Sequence, residues 1–239
     1  MKNLLQIIIL IIFCLQANLY AQTNKILIGK IDASIIKLNN AAKSNNAKSS
    51  QIAIKELDSI WARNKYIILD KYHCSPFEEI SACTMDGTIA ILYMYHDSQD
   101  YTAIKKASER LVYVFQDIKE NKKMEQDPVD LLWDTYLQYE EIHITVHDKM
   151  FGLREWFEFE GMVNGLSEEL NIYNSLDFSK VQEYFPNILR EKHDNQLEKV
   201  NNCFLNFVQS LESGYNDDFE WPCDELGKAL YDLLLLYGK

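Results

Sequence analysis

Apolar residues recur along this chain in steps of three and four, from Ile28 to Tyr237. This spacing indicates α-helices with one buried face, because an α-helix has about 3.6 residues per turn. Polar segments at 43–50, 96–100 and 121–127 separate the stripes and predict connections between helices. We therefore expect an all-α fold, a multi-helix bundle of about seven to eight antiparallel helices. The clearest stripes are Ile28, Ile31, Ile35, Leu38 and Ala42; Ile104, Ala107, Leu111, Val114 and Ile118; and Leu197, Val200, Phe204, Phe207 and Leu211.

Short polar motifs predict where several of the helices begin. Ser75, Pro76 and Glu78 form a capping box with proline at the first helical position. Asp127 before Pro128 predicts a second capped start, and Asp177 predicts the cap of a short helix. Residues 214–221 are interpreted as a turn, after which Pro222 opens the last helix.

The composition agrees with a helical globular protein. Only eight glycines and four prolines punctuate 239 residues, which argues against a β-sandwich or barrel with a turn every ten residues or so. Apolar residues make up 47% of the chain, enough for a sizeable core. We expect residues 22–239 to form a single all-helical domain, with a possible sub-boundary near 121–127.

The first 21 residues have the features of a bacterial signal peptide. Lys2 supplies a positive start, residues 4–15 are mainly apolar, and small residues between Ala17 and Ala21 precede a predicted cut before Gln22. An uncleaved membrane anchor is the alternative. No later stretch has 18 uninterrupted apolar residues, so we expect no membrane span after signal removal. The predicted location is periplasmic or secreted.

Four cysteines remain after the predicted cut, namely Cys74, Cys83, Cys203 and Cys223. An even number of cysteines in an exported chain favours two disulfides. The pairing Cys74–Cys83 with Cys203–Cys223 closes the shortest loops and is the one we predict. The spacings contain no Cys-x-x-Cys pair of the kind that zinc sites use.

Charge is distributed very unevenly. Residues 22–123 carry 15 basic and 12 acidic side chains, whereas residues 124–239 carry 8 and 24. An acidic second half repels nucleic acid and anionic lipid and attracts cations or a basic protein. We predict a protein-binding or inhibitor-like module with Trp156, Phe157, Asp217, Asp218 and Glu220 as interface candidates. A surface that only keeps the protein soluble remains the alternative.

One stretch has the spacing of a metal site. Glu140, His143 and His147 lie at i, i+3 and i+7, along one side of a helix. Glu-x-x-His is half of the ligand set of carboxylate-bridged di-metal bundles, so a metal-dependent enzyme is one alternative function. A core histidine bonded to Tyr136 or Tyr139 is the structural alternative.

Other chemistry has weaker support. The acidic residues between Asn216 and Glu225 could gather calcium, but the EF-hand pattern is absent. No nucleophile or phosphate-binding motif occurs, so we expect no cofactor and lean away from an enzyme. A dense aromatic region could form core, an interface or a small-molecule pocket. Its members are Trp133, Tyr136, Tyr139, Phe151, Trp156, Phe157 and Phe159.

Overall fold

A computed structural model describes residues 2–69, 75–148 and 156–239, with side chains from residue 22 onward except at Asn216 and Asp217. Within these ranges the chain forms nine α-helices and no β-strand, which confirms the all-α bundle. The count exceeds the expected seven to eight, and it includes the short α7 whose cap the sequence predicts. The helices are α1 (Lys2–Lys43), α2 (Ala47–Leu69), α3 (Pro76–Asp97), α4 (Tyr101–Asn121), α5 (Pro128–Val146), α6 (Trp156–Asn174), α7 (Phe178–Tyr184), α8 (Arg190–Leu211) and α9 (Asn216–Tyr237).

The first helix is longer than its apolar stripe predicts. Its backbone is helical from Lys2 to Lys43, so it runs through the predicted signal segment without a break at Ala21. Side chains before residue 22 lie outside the described set, and the signal peptide stays a prediction. Among the residues with described side chains, we find no helix with the length and apolarity that crossing a bilayer requires.

The predicted helix caps are confirmed. The Ser75 hydroxyl accepts the N–H of Glu78 at 3.3 Å, and the Glu78 carboxylate accepts the N–H of Ser75 at 2.6 Å. Asp127 Oδ1 accepts the N–H groups of Val129 and Asp130 at 2.8 and 3.0 Å. Asp177 likewise caps α7. These contacts are local in sequence, which is why residue order alone predicts them.

The predicted turn at 214–221 is wrong over most of its length. Only Gly214, with a φ of +71°, and the extended N-cap residue Tyr215 lie outside a helix, and α9 already begins at Asn216. Pro222 therefore lies inside the helix, where it lacks a backbone N–H. Phe219 and Cys223 on either side of it are fully buried, and their packing offsets the lost hydrogen bond.

Helix α1 lies at the centre of the packing. It contacts α2, α4, α7 and α9, while α9 packs against both α8 and α5. Buried apolar residues from both sides of the 121–127 linker belong to one continuous core. Helices from before and after the linker thus bury their apolar faces against each other.

A buried charge cluster joins the two sides of that linker. Lys119 of α4 pairs with Asp32 of α1 at 3.3 Å, with Asp127 at 2.8 Å, and with Asp130 of α5. All four residues are buried. Burial raises the pKa of Asp130 to about 7 and raises the pKa of Asp32 well above its usual value. Lys119 lowers both pKa values, but by less than burial raises them. Burial by itself lowers the pKa of Lys119, but the three neighbouring carboxyl groups raise this pKa by a larger amount.

Candidate metal centre

Two histidines lie together at the C-terminal end of α5. His143 is in the last turn of the helix, and His147 is its C-cap, with a backbone N–H that donates to the His143 carbonyl at 3.1 Å. A separation of four residues places both imidazoles on one face, one turn apart. Their ring centroids are 4.4 Å apart.

The third member of the group comes from α9. Oδ1 of Asp224 lies 3.0 Å from Nε2 of His143 and 3.0 Å from Nε2 of His147. One ligand atom from each of the three residues can be chosen so that all lie within 4.8 Å of one another. Among the residues that the structure describes, this is the one group of histidine, cysteine and carboxylate side chains close enough to hold a metal ion.

Close packing of α5 and α9 brings the three residues together. Gly227, one turn after Asp224, faces the ring of Tyr139, and a Cβ at this position would overlap the ring and the hydroxyl oxygen. The Tyr139 hydroxyl also bonds the Cys223 thiol, and burial raises the pKa of that tyrosine well above its usual value. The absence of a side chain at Gly227 thus lets α9 approach α5 closely enough for Asp224 to reach the histidines.

The group is open to solvent on one side. The exposed fractions of the side chains are 39% for His143, 36% for His147 and 51% for Asp224. Two imidazole nitrogens and a carboxylate oxygen are also the donor types of three-ligand zinc centres that keep one coordination position open. A metal ion could enter without rearrangement of the core.

The structure does not bring Glu140, the third residue of the predicted ligand set, into this group. Its carboxylate accepts the Tyr136 hydroxyl and lies 3.9 Å from the ammonium groups of both Lys43 and Lys105. Glu140 precedes His143 by three residues, so it lies on the flank of α5 nearer to α1 and α4. Lysines from those two helices bind it there.

The sequence alone does not identify Asp224 as the partner of these two histidines. Asp224 did appear among the acidic residues considered for calcium, but nothing in the sequence connects it to histidines about 80 positions earlier. Asp218 and Glu220 do not join it in a ligand group within the described residues. The pairing depends on the antiparallel contact between α5 and α9.

The predicted aromatic region divides into core and surface. Trp133, Tyr136, Tyr139 and Phe159 are buried, whereas Phe157 is 86% exposed and Phe151 lies outside the described residues. Among the interface candidates, Trp156 is half-buried, with its ring centroid 6.3 Å from that of Phe219. Asp218 is exposed and Glu220 is half-buried, while the side chain of Asp217 is not among those described.

The predicted disulfide between Cys203 and Cys223 is not formed. Cys83, Cys203 and Cys223 are free thiols in the structure, and Cys74 lies outside the described residues. Cys223 is buried and its thiol bonds the Tyr139 hydroxyl of α5, whereas Cys203 of α8 is half-buried. Burial raises the pKa of the Cys223 thiol to about 12, so this cysteine is a core residue.

Comparisons of the whole chain with protein families, with curated proteins and with solved structures found no match.

Proposed function

We propose that this protein binds a divalent transition-metal ion through His143, His147 and Asp224. The observation that carries the proposal is the meeting of three ligand atoms, from two helices, within 4.8 Å. Helix α5 alone orients both imidazoles, and the buried contact of Tyr139 with α9 holds the carboxylate opposite them. Most of the geometry is therefore in place before an ion arrives.

The donor set selects the class of ion. Imidazole nitrogens suit zinc, copper and nickel, whereas calcium and magnesium require mainly oxygen donors. One carboxylate and two imidazoles leave at least one coordination position for water or for a donor from another molecule. The proposed activity is metal binding at the surface, either for storage or delivery of the ion or to bridge a partner.

Zinc titration of three single variants tests the proposal. His143→Ala, His147→Ala and Asp224→Asn are each expected to weaken zinc binding at least tenfold, about 1.4 kcal/mol, because each removes one of three ligands. The measurement is isothermal titration calorimetry on protein without a histidine tag, purified without chelators.

Two matched variants act as controls. Glu140→Gln changes an acidic residue of the same helix and should leave zinc affinity unchanged, because Glu140 binds lysines instead. His96→Gln removes a histidine of α3 that contacts the Ala47 carbonyl, outside the group. Calcium binding as tight as zinc binding, or an effect of Glu140→Gln equal to that of His143→Ala, would contradict the proposal.

A second candidate function is association with a basic protein through the acidic half. Three exposed aromatic side chains favour it: Phe157, Tyr215 and Trp221 are 86, 72 and 70% exposed. Trp156 contacts Phe219, so the starts of α6 and α9 are neighbours. Glu158 and Asp218 in these segments make no ion pair with any described residue. Exposed aromatics beside unpaired acids resemble the anchors of protein interfaces.

The test of this second function is a pulldown from the periplasm of the native host at low and at high salt. A captured basic protein should be lost at high salt, because exposed charges are screened. Trp221→Ala is expected to weaken binding by about 2 kcal/mol, roughly thirtyfold, as truncation of an anchor does. Phe77→Ala, an equally exposed aromatic on α3, is the control. Capture of a protein that persists at high salt, or that Trp221→Ala does not weaken, would count against this function.

The proposed place of action, outside the cytosol, depends on the N-terminal segment alone.

A further inference from the structure

A groove between α1 and α2 has a composition unlike the rest of this acidic protein. Its volume is about 410 Å³, within the range of small-molecule sites. Ile26 and Leu27 of α1 form one wall, and Ile60 and Ile67 of α2 form the other. The groove lies well away in sequence from the histidine group on α5 and α9.

Two cationic side chains lie at this apolar groove. Lys30 of α1 and Arg63 of α2 both line it and both are exposed. Neither makes an ion pair with a residue that the structure describes. Their neighbours along α1 behave differently, since Lys25 pairs with Glu183 at 2.6 Å and Lys37 with Glu56 at 2.8 Å.

We propose that this groove binds an amphipathic carboxylate, with its alkyl chain between the isoleucine and leucine side chains and its carboxylate between Lys30 and Arg63. Arginine suits this role because its planar guanidinium can hold both oxygens of a carboxylate at once. Burial of the alkyl chain supplies affinity, and the two cations select against neutral and cationic chains of the same length.

The test is calorimetric titration with dodecanoate, dodecanol and dodecyltrimethylammonium, each below its micellar concentration. Dodecanoate is expected to bind at least tenfold more tightly than dodecyltrimethylammonium and dodecanol. Replacing both cations, Lys30→Gln with Arg63→Gln, should weaken dodecanoate binding tenfold or more, because it removes both charged hydrogen-bond donors to the carboxylate.

Matched variants separate this groove from general adsorption. Arg110→Gln removes an exposed arginine of α4 outside the groove and should leave binding unchanged. Arg63→Lys should lose less affinity than Arg63→Gln. All variants share the same N-terminal segment, so any detergent bound there contributes equally to each. Equal binding of dodecanoate and dodecyltrimethylammonium, or no effect of the double variant, would overturn the inference. So would anionic phospholipid vesicles that bind through Lys30 and Arg63 while dodecanoate does not.

Discussion

Replacing Lys119 by methionine is expected to lower the free energy of unfolding by about 3–5 kcal/mol at neutral pH. The ammonium of Lys119 is the cation that pairs with the buried carboxyls of Asp32, Asp127 and Asp130. Its removal leaves three acidic groups together in the core, and none can reach water without opening the contact between α1, α4 and α5. Urea unfolding followed by circular dichroism measures the loss.

The stability that Lys119→Met removes should become smaller as the pH falls. Burial raises the folded-state pKa of Asp130 to about 7, above its unfolded value, so protonation favours the folded chain. That contribution is present at low pH and disappears as the pH rises through about 7. Without Lys119, the carboxyls hold protons still more strongly. Lys119→Met should therefore approach the parent protein in stability near pH 4 and fall furthest below it near pH 8.

Two comparisons make this expectation specific to the cluster. Lys106→Met replaces an exposed lysine of the same helix and should change stability by less than about 0.5 kcal/mol. Asp130→Asn should be tolerated far better than Lys119→Met, because an amide resembles the protonated acid that the raised pKa favours. If Lys119→Met and Lys106→Met were equally mild, Lys119 would not be the residue that neutralises these acids.

Replacing Gly227 by alanine is expected to destabilise the fold by about 1–3 kcal/mol and to weaken zinc binding in the same protein. The new methyl group would overlap the Tyr139 ring, so either the ring or the whole of α9 must move. Asp224 lies one turn before Gly227, and a shift of α9 would carry its carboxylate away from His143. Thermal unfolding and zinc titration on one sample measure both effects.

Gly161→Ala is the matched control for this substitution. Gly161 also lies inside a helix, but a Cβ there would meet no atom within 4 Å. Alanine has the higher helix propensity, so this variant should gain up to about 1 kcal/mol. Opposite signs at the two glycines would show that close packing at Tyr139, and not helix propensity, decides the outcome at Gly227. A stabilised Gly227→Ala protein with full zinc affinity would contradict this account.

The all-helical architecture could be predicted because its determinants are close together in sequence. Stripes such as Ile104 to Ile118 repeat within a few residues, and caps such as Ser75 and Asp127 bond backbone groups two or three positions away. The error at 214–221 also has a local origin. Pro222 is a strong helix-start signal in isolation, and only the burial of Phe219 and Cys223 extends α9 across it.

The metal group could be predicted only in part. The spacing of His143 and His147 places both on one face of α5, as any helix would. The choice between Glu140 and Asp224 is a tertiary one, because it depends on which helices lie against each flank of α5. Lysines from α1 and α4 bind Glu140, and α9 supplies Asp224.

Sequence alone thus determined that the chain is helical, where most helices begin, and that two histidines share a face of α5, because these properties follow from contacts within a turn or two. The tertiary structure alone decided that Asp224 faces those histidines, that Lys119 pairs with three buried acids, and that Cys203 and Cys223 stay apart. Each of these depends on how helices distant in the chain pack together, and residue spacing carries no information about that packing.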